Sequence, residues 1–405
     1  MKNQVFISFC VLTLIFSSIS IVSGRNIVCY FASWTVYRPG NGLFDVSNIE
    51  PDLCTHINFA FIGLHEDGTI NIIDKWESDD DGKYHGFRNL LDLRNSHPSL
   101  KVLVSMGGWN EGTKNFSKVA ADPVLRKTLA NNVGAFIRQV GFDGFDIDWE
   151  YPGSREGSNV TIDKDNFVAL LEDLSAVLHP KGKLLTAAVA GGVERIDLGF
   201  DVPKVNEILD MINVMVYDFH GHFEPFVGHL SPLHASSLDY ENGRNATMTV
   251  ATGIKYWIYK GASPEKINMG IATYGRSFTL KDPNNTQLYA PNVGGPTTFS
   301  CNAPNVGGGR SGPYTRQEGF LGYNEICELH SDWTYHWDDE QKVPHRTSGD
   351  QWVGYEDPAS LKYKVEFAVS KNLGGMMMWA FDTDDFGGHC GDTYPLLKTL
   401  KNHLA

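Results

Sequence analysis

Residues 141–153 read GFDGFDIDWEYPG, and within them Asp146, Asp148 and Glu150 stand at every second position, with Phe145, Ile147 and Trp149 between. Strict alternation is the pattern of a β-strand, where every second side chain points to the same face. Asp is a poor strand former, and three like charges on one strand face repel one another. Either the strand is a solvated sheet edge with an acidic outer face, or the carboxylates are gathered for chemistry. In a confined, inward-facing site the second reading makes a definite demand. Repulsion keeps a proton on one carboxyl well above its ordinary pKa, which is what a general acid requires. Glu150, last of the three and nearest the strand end, is the candidate. Trp149 and Asp143 have the opposite parity, so Trp149 is assigned to packing against helices and Asp143 to a structural role.

A hard cation is the competing occupant of an oxygen cluster. Numbered as a calcium-binding loop from Asp146, the segment puts Tyr151 at the sixth position, where glycine is needed, and Gly157 at the twelfth, where glutamate is needed. No histidine or second acidic cluster completes a recognisable ligand spacing, so neither a metal nor a cofactor is expected.

Eight short apolar runs recur: NIVCYFASW (26–34), THINFAFIGL (55–64), KVLVSMGGW (101–109), the acidic segment, LLTAAVAGG (184–192), MINVMVYDF (211–219), INMGIATYG (267–275) and GGMMMWAFD (374–382). Most are apolar on both faces, as parallel strands covered by helices should be. Amphipathic stretches at 123–140, 166–180 and 358–372 carry helical spacing with start or stop signals. Alternating strands and helices predict an α/β fold, and eight units predict a (β/α)₈ barrel built from 25–276 and 356–405. The rhythm fails once. Residues 277–355 are rich in Gly, Pro, Asn and Thr, with short alternating pieces, and read as an antiparallel α+β domain inserted between strand seven and its helix.

In such a barrel the chemistry sits where the strands end. Here strand one ends at Trp34, strand three at Trp109, strand four at the acids, strand six at Tyr217-Asp218, strand seven at Tyr274 with Arg276 beyond, and strand eight at Trp379. A lone Trp or Tyr in a barrel strand is ordinary core filling. Core filling does not explain why they gather at one end. Flat aromatic faces beside hydroxyls and carboxylates suit a sugar, whose C–H faces stack while its rim hydrogen-bonds.

The remaining signals bound the setting. Lys2, the apolar run at 5–22 and Ser23-Gly24 have the form of a signal peptide over residues 1–24, with a membrane anchor as the alternative reading. Its removal leaves 381 of 405 residues, with 33 basic against 48 acidic side chains once Lys2 is gone, a formal charge of −15. That balance disfavours nucleic-acid and anionic-membrane partners and allows a neutral substrate. Cys10 leaves with the leader. Cys29, Cys54, Cys301, Cys327 and Cys390 remain, an odd number in a chain expected to be extracellular. Asn115, Asn159, Asn245 and Asn284 head N-x-S/T sequons, each a candidate glycan site. The protein is expected to be a secreted monomer.

DGFDIDWE (143–150) resembles the D-x-x-D-x-D-x-E signature of family-18 glycoside hydrolases, the chitinases and their relatives. YFASWTVYRPG (30–40), SMGGWN (105–110), MVYDFHG (215–221), YGRSFTL (274–280) and MWAFDTDDFGG (378–388) resemble that family's blocks in its order, so the resemblance spans essentially the whole mature chain. It implies that Glu150 donates a proton to the glycosidic oxygen and that the sugar's own 2-acetamido carbonyl is the nucleophile. Asp148 would then orient the acetamido N–H, Asp146 would share a proton or hydrogen bond with Asp148, and Tyr217 would bind the acetamido oxygen. The resemblance further implies Trp379 as the floor beneath the distorted sugar, Trp34 and Trp109 as stacking platforms, and Asp218, Tyr274 and Arg276 as polar contacts. It pairs Cys29 with Cys54 and Cys327 with Cys390, leaving Cys301 over.

Two departures stand out: Val216, where Thr or Ala is common, and His222-Phe223, where a Ser-Trp pair is common. The implied activity is endo-acting cleavage of β-1,4-linked N-acetylglucosamine chains. A non-hydrolytic lectin-like or growth-factor-like relative that binds chito-oligosaccharides is the alternative, and cleavage of the chitobiose core of N-glycans a third.

Overall fold

The computed structural model describes residues 24–78, 82–294 and 307–404. Nearly all of the expected leader, and Cys301, lie outside the described residues. Seven parallel strands come first: β1 (Asn26–Ala32), β2 (His56–Leu64), β3 (Lys101–Gly107), β4 (Gly144–Asp148), β5 (Leu184–Ala190), β6 (Met211–Met215) and β7 (Ile267–Ala272). An antiparallel group follows, β8 (Tyr274–Thr279), β9 (Phe320–Gly322), β10 (Thr334–Asp338), β11 (Val343–Ser348) and β12 (Gln351–Gly354). The last strand, β13 (Gly375–Trp379), returns to the first sheet and pairs in parallel with both β7 and β1. Since β1 also pairs with β2, the eight parallel strands close into a barrel. This is the (β/α)₈ fold read from the alternation of elements.

Local chemistry sets the boundaries. The helix Pro123–Val140 starts on Asp122, whose side chain accepts from the Val124 N–H, and stops at Gly141, held at φ 104°. Trp149 packs outward as its parity predicts, stacked on Phe116 with ring centroids 5.5 Å apart and edge-on to Phe167 in the helix Asp163–Leu178. Asp143 ties the barrel wall together by accepting from Arg94 Nη1 and the Val102 N–H, both at 2.9 Å.

The second sheet runs in the order β9-β8-β12-β11-β10, with a core of Val227, Phe278, Leu280, Ala290 and Trp352 and the helix Tyr323–Leu329 beside it. Only Thr273 separates β7 from β8, so one nearly continuous strand serves both sheets. Disulfides join Cys29 to Cys54, between β1 and the approach to β2, and Cys327 to Cys390, between the insertion and the segment after β13. Among the described residues no helix is long and apolar enough to cross a membrane.

A buried ion pair ties the segment after β12 to the helix that follows it. Lys364, in the helix Pro358–Ser370, pairs with Glu356 just beyond β12, neither side chain being exposed. Its ammonium also donates to the Ser231 carbonyl at 2.6 Å and hydroxyl at 2.9 Å. Burial pushes the Lys364 ammonium well below its usual range. Breaking one side of such a pair is costly, whereas an apolar replacement of both is tolerated. Lys364→Met should therefore destabilise the fold by ~3–5 kcal/mol, and Lys364→Met with Glu356→Leu should recover most of that in urea unfolding. Equal loss in the single and double variants would contradict this account.

Candidate active site

Several barrel strands carry an inward polar residue, and these build the site's base. Ser105, Asp146 and Thr186 are cross-strand neighbours on β3, β4 and β5, and Asn213 sits on β6 beside Asn268 on β7. All five are fully buried. Asp146 accepts four hydrogen bonds: from Tyr30 Oη at 2.8 Å, Ser105 Oγ at 2.7 Å, Thr186 Oγ1 at 2.5 Å and Asn213 Nδ2 at 3.4 Å. Burial raises its pKa, and those four donors hold the rise back. Behind them an amide relay runs to the barrel floor. Asn26 Nδ2 donates to Asn268 Oδ1, and Asn268 Nδ2 donates to Asn213 Oδ1.

Asp148, next up the same face, is treated differently. Its Oδ1 is buried and makes no hydrogen bond to the protein. Burial, then the charges of Glu150 and Asp146, raise its pKa well above the usual carboxylate range. Where the resemblance implies an Asp146–Asp148 hydrogen bond, Asp146 in this structure is already surrounded by four other donors. Glu150 lies at the mouth, half-buried, and burial pushes its carboxyl up to about 7 against partial offsets from Tyr151 and Arg155. The main chain beneath is close-fitted. A Cβ on Gly107 would meet the Asp148 carbonyl oxygen at 2.1 Å, and the Gly108 N–H donates to that oxygen at 2.9 Å. The glycines of SMGGWN thus let β3 close against the acidic strand.

Across the mouth, Asp218 holds a left-handed backbone (φ 56°) and accepts from Tyr274 Oη at 2.8 Å and Arg276 Nε at 2.7 Å. Tyr274 and Arg276 belong to β8, so the inserted sheet supplies this side of the opening. Tyr217 packs edge-on to Tyr274, its hydroxyl 3.8 Å from Met377 Sδ. Trp379 ends β13 inside an aromatic box, stacked on Phe61 (5.4 Å) and flanked by Tyr30 (5.4 Å) and Trp34 (6.1 Å). The Thr273 hydroxyl fixes it from below, donating to the Ala380 carbonyl at 2.6 Å. The peptide bonds Glu150–Tyr151 and Trp379–Ala380 are cis. Trp34 and Trp109 are 43% and 48% exposed, far more than core residues, and so leave aromatic surface open to a ligand. A cleft of about 330 Å³ lies beside Trp34 and Trp379, lined also by Arg38, Asp382, Arg316 and Gln317.

Of the predicted residues, Trp34 and Trp379 line this cleft, Tyr274 touches Tyr217 and Asp218, Arg276 also holds Asp218, and the main chains of Trp109 and Glu150 are linked through Arg155. Tyr30, Ser105, Thr186, Asn213, Phe61 and Arg155 join them without having been singled out. For Ser105, Thr186 and Asn213 a signal existed, since each is a polar residue inside an apolar strand. Among the described residues the one cluster with metal-ligand spacing is Asp385 with Cys327 and Cys390, whose sulfurs are joined to each other. Asn159, Asn245 and Asn284 are exposed, whereas the Asn115 amide is partly buried and donates to the Leu64 carbonyl at 2.8 Å.

A closed parallel barrel with a protonatable carboxyl at its mouth and exposed aromatic faces at its strand ends suits a hydrolase acting on carbohydrate, one of many chemistries this fold carries. Residues 26–384 match the family described as Glycosyl hydrolases family 18, and the chain belongs to that family of glycoside hydrolases. It is 41% identical over 392 residues to the endochitinase of Manduca sexta, covering 95% of this chain and 68% of that one. It is 37% identical over 393 residues to chitotriosidase-1 of Mus musculus, covering 94% and 78%. The Group IV chitinase of Ostrinia furnacalis in complex with allosamidin superposes with a TM-score of 0.87 at 37% identity, over 93% of this chain and 98% of that one. Human YKL-39, described as a pseudo-chitinase with retained chitooligosaccharide binding, superposes at 0.83 with 34% identity, over 94% and 99%.

The raised pKa of Glu150 has a stability consequence. A carboxyl at about 7 in the folded chain and 4.5 unfolded contributes stability that is fully present below 4.5 and is lost as pH rises through about 7. Glu150→Gln, which cannot ionise, should therefore be more stable than wild type at pH 8, by on the order of 3 kcal/mol, with the difference shrinking towards pH 4. Chemical unfolding of both proteins across that range checks the sign. A difference independent of pH would refute the burial of Glu150 as its cause.

Proposed function

We propose that this protein is a secreted chitinase that cleaves β-1,4-linked N-acetylglucosamine chains with net retention, using Glu150 as proton donor and the substrate's acetamido group as nucleophile. The observation that carries this reading is the unequal treatment of two neighbouring carboxyls. Glu150 is held at about 7 at the mouth, while Asp148, two residues before it at the end of β4, buries an oxygen that no protein group satisfies. Two carboxylates that share glycoside cleavage by direct attack flank the bond, ~5–5.5 Å apart on opposite sides. Asp148 ends β4 and Glu150 follows it by two residues, so both carboxyls come from one strand end, and Asp218 across the mouth is engaged by Arg276 and Tyr274. Neither carboxylate is disposed as a free nucleophile, whereas an acetamido N–H would satisfy Asp148 Oδ1.

The steps then balance. The acetamido carbonyl oxygen attacks C1 as the C1–O bond to the leaving sugar breaks, and Glu150 gives its proton to the departing oxygen. The bicyclic oxazolinium left behind carries positive charge near Asp148, with Asp146 tuning Asp148 from below. Water then attacks C1, Glu150 takes its proton, and the C1–O bond of the oxazolinium opens. Two inversions give retention. Tyr217 orients the acetamido oxygen, Trp379 supports the distorted sugar, and Trp34 and Trp109 stack its neighbours. The secretory reading draws support from the two disulfides and from the exposure of Asn159, Asn245 and Asn284.

Chito-oligomers incubated with the protein and separated by mass should shorten, and Glu150→Gln should cut kcat by ~10²–10⁴-fold while oligomer binding persists. The donor must be protonated in the free enzyme, so kcat/KM should fall as pH rises through about 7. Intact oligomers with binding still detectable by Trp fluorescence would identify a lectin instead. Cleavage undiminished in Glu150→Gln would overturn the mechanism.

A further inference from the structure

Arg155 makes a set of contacts that the mechanism above does not use. It lies in the loop after β4, five residues beyond the acid. Its guanidinium carbon sits 3.7 Å from the centroid of the Trp109 ring, within cation–π range and over a ring that is half-exposed. The same side chain reaches two main-chain carbonyls through Nη1, that of Trp109 at 2.7 Å and that of Glu150 at 3.3 Å. The loop itself is anchored. Ser158 Oγ donates to the Arg155 carbonyl and accepts from its N–H, and Thr113 Oγ1 donates to the Glu156 carbonyl at 2.7 Å.

We propose that Arg155 is a positioning residue that clamps the Trp109 platform to the strand bearing Glu150, setting how a bound chito-oligosaccharide lies against the acid. With one face of the indole covered by the guanidinium, the other alone is left for a sugar. One nitrogen bridging both carbonyls makes the platform and the acid a single unit. A loose Trp109 could still stack a sugar, but without a fixed height relative to the proton donor, and placement errors of this kind cost both affinity and rate. Arginine suits this position because its planar group stacks and forks at once, which a lysine ammonium cannot do.

The charge has a second effect. The titratable and charged groups around Glu150 are Asp148 on β4, Tyr151 and Arg155 in the following loop, Arg195 from the helix Val193–Gly199, Tyr217 and Asp218 after β6, and Tyr274 on β8. Arg155 and Arg195 are the two cations that favour ionised Glu150. Taking the Arg155 charge away keeps the donor protonated to higher pH.

The inference rests on the chitin-cleaving reading, and its test separates the two. Steady-state kinetics on chito-oligomers are compared for wild type, Arg155→Gln, Arg155→Lys, Trp109→Ala and Arg155→Gln with Trp109→Ala. Arg155→Gln should raise KM ~3–10-fold and move the basic limb of kcat/KM to higher pH. Arg155→Lys should raise KM and leave the limb in place, and it carries the test if the glutamine variant does not fold. In the Trp109→Ala background the effect of Arg155→Gln on KM should vanish. An unchanged KM in both arginine variants, or an equal change with and without Trp109, overturns the clamp while wild-type cleavage still stands. A wild type that cleaves no oligomer overturns both.

Discussion

The structure depends on keeping three carboxyl groups at one strand end, Asp146 and Asp148 on β4 and Glu150 two residues beyond it. Such groups cannot all ionise side by side in a dry interior, because desolvation and mutual repulsion both disfavour charge. The barrel resolves this by grading their surroundings with depth. Asp146, deepest, is met by four donors from four different strands. Asp148, in the middle, has an oxygen without a donor. Glu150, uppermost, reaches the opening. Two Asp and one Glu thereby meet three different surroundings: burial raises the pKa of each, and at Asp146 four donors hold the rise back.

That grading explains why a closed parallel barrel is required. Tyr30, Ser105, Thr186 and Asn213 are separated by long stretches of chain, and only a sheet that curls on itself brings their side chains to one carboxylate. The amides behind them add directionality. Asn26, Asn268 and Asn213 each donate to the next group inward, so the relay presents its donor end to Asp146. Hydrogen bonds aligned in this way polarise one another in a low-dielectric interior. Buried amides in a barrel core are otherwise a liability, and their alignment on one anion accounts for their presence.

How far the sequence discloses this follows the range of the interactions. The parity of residues 143–150 is a local property, and it placed the acids inward, Trp149 outward and Asp143 in a structural role. The eight strands were legible because a parallel strand covered on both faces leaves a short apolar run between loops. The partners of Asp146 were not, although Ser105, Thr186 and Asn213 stand out as polar residues in KVLVSMG, LLTAAVA and MINVM. Cross-strand register decides whether such residues converge or merely line the barrel, and register is fixed by tertiary packing. Phe61 and Arg155 escaped notice for the same reason, since a ring in an apolar strand and a cation in a loop acquire meaning only from what they face.

The inserted sheet belongs to this argument and is not an accessory to it. Only Thr273 divides β7 from β8, so the barrel wall continues directly into the second sheet. Tyr274 and Arg276, on the far side of that junction, are the groups that hold Asp218. Thr273 itself binds the main chain at Trp379 and Ala380, so a single residue fixes both the Trp379 end of β13 and the start of the inserted sheet. On the opposite flank Arg155 joins Trp109 to Glu150 through main-chain contacts. Each surface that would meet a substrate is thus referenced to the strand ends. The mechanism proposed for Glu150 needs that rigidity, because proton transfer requires the leaving oxygen within hydrogen-bond reach of the carboxyl, and a wall carried on an independent domain would not hold that spacing.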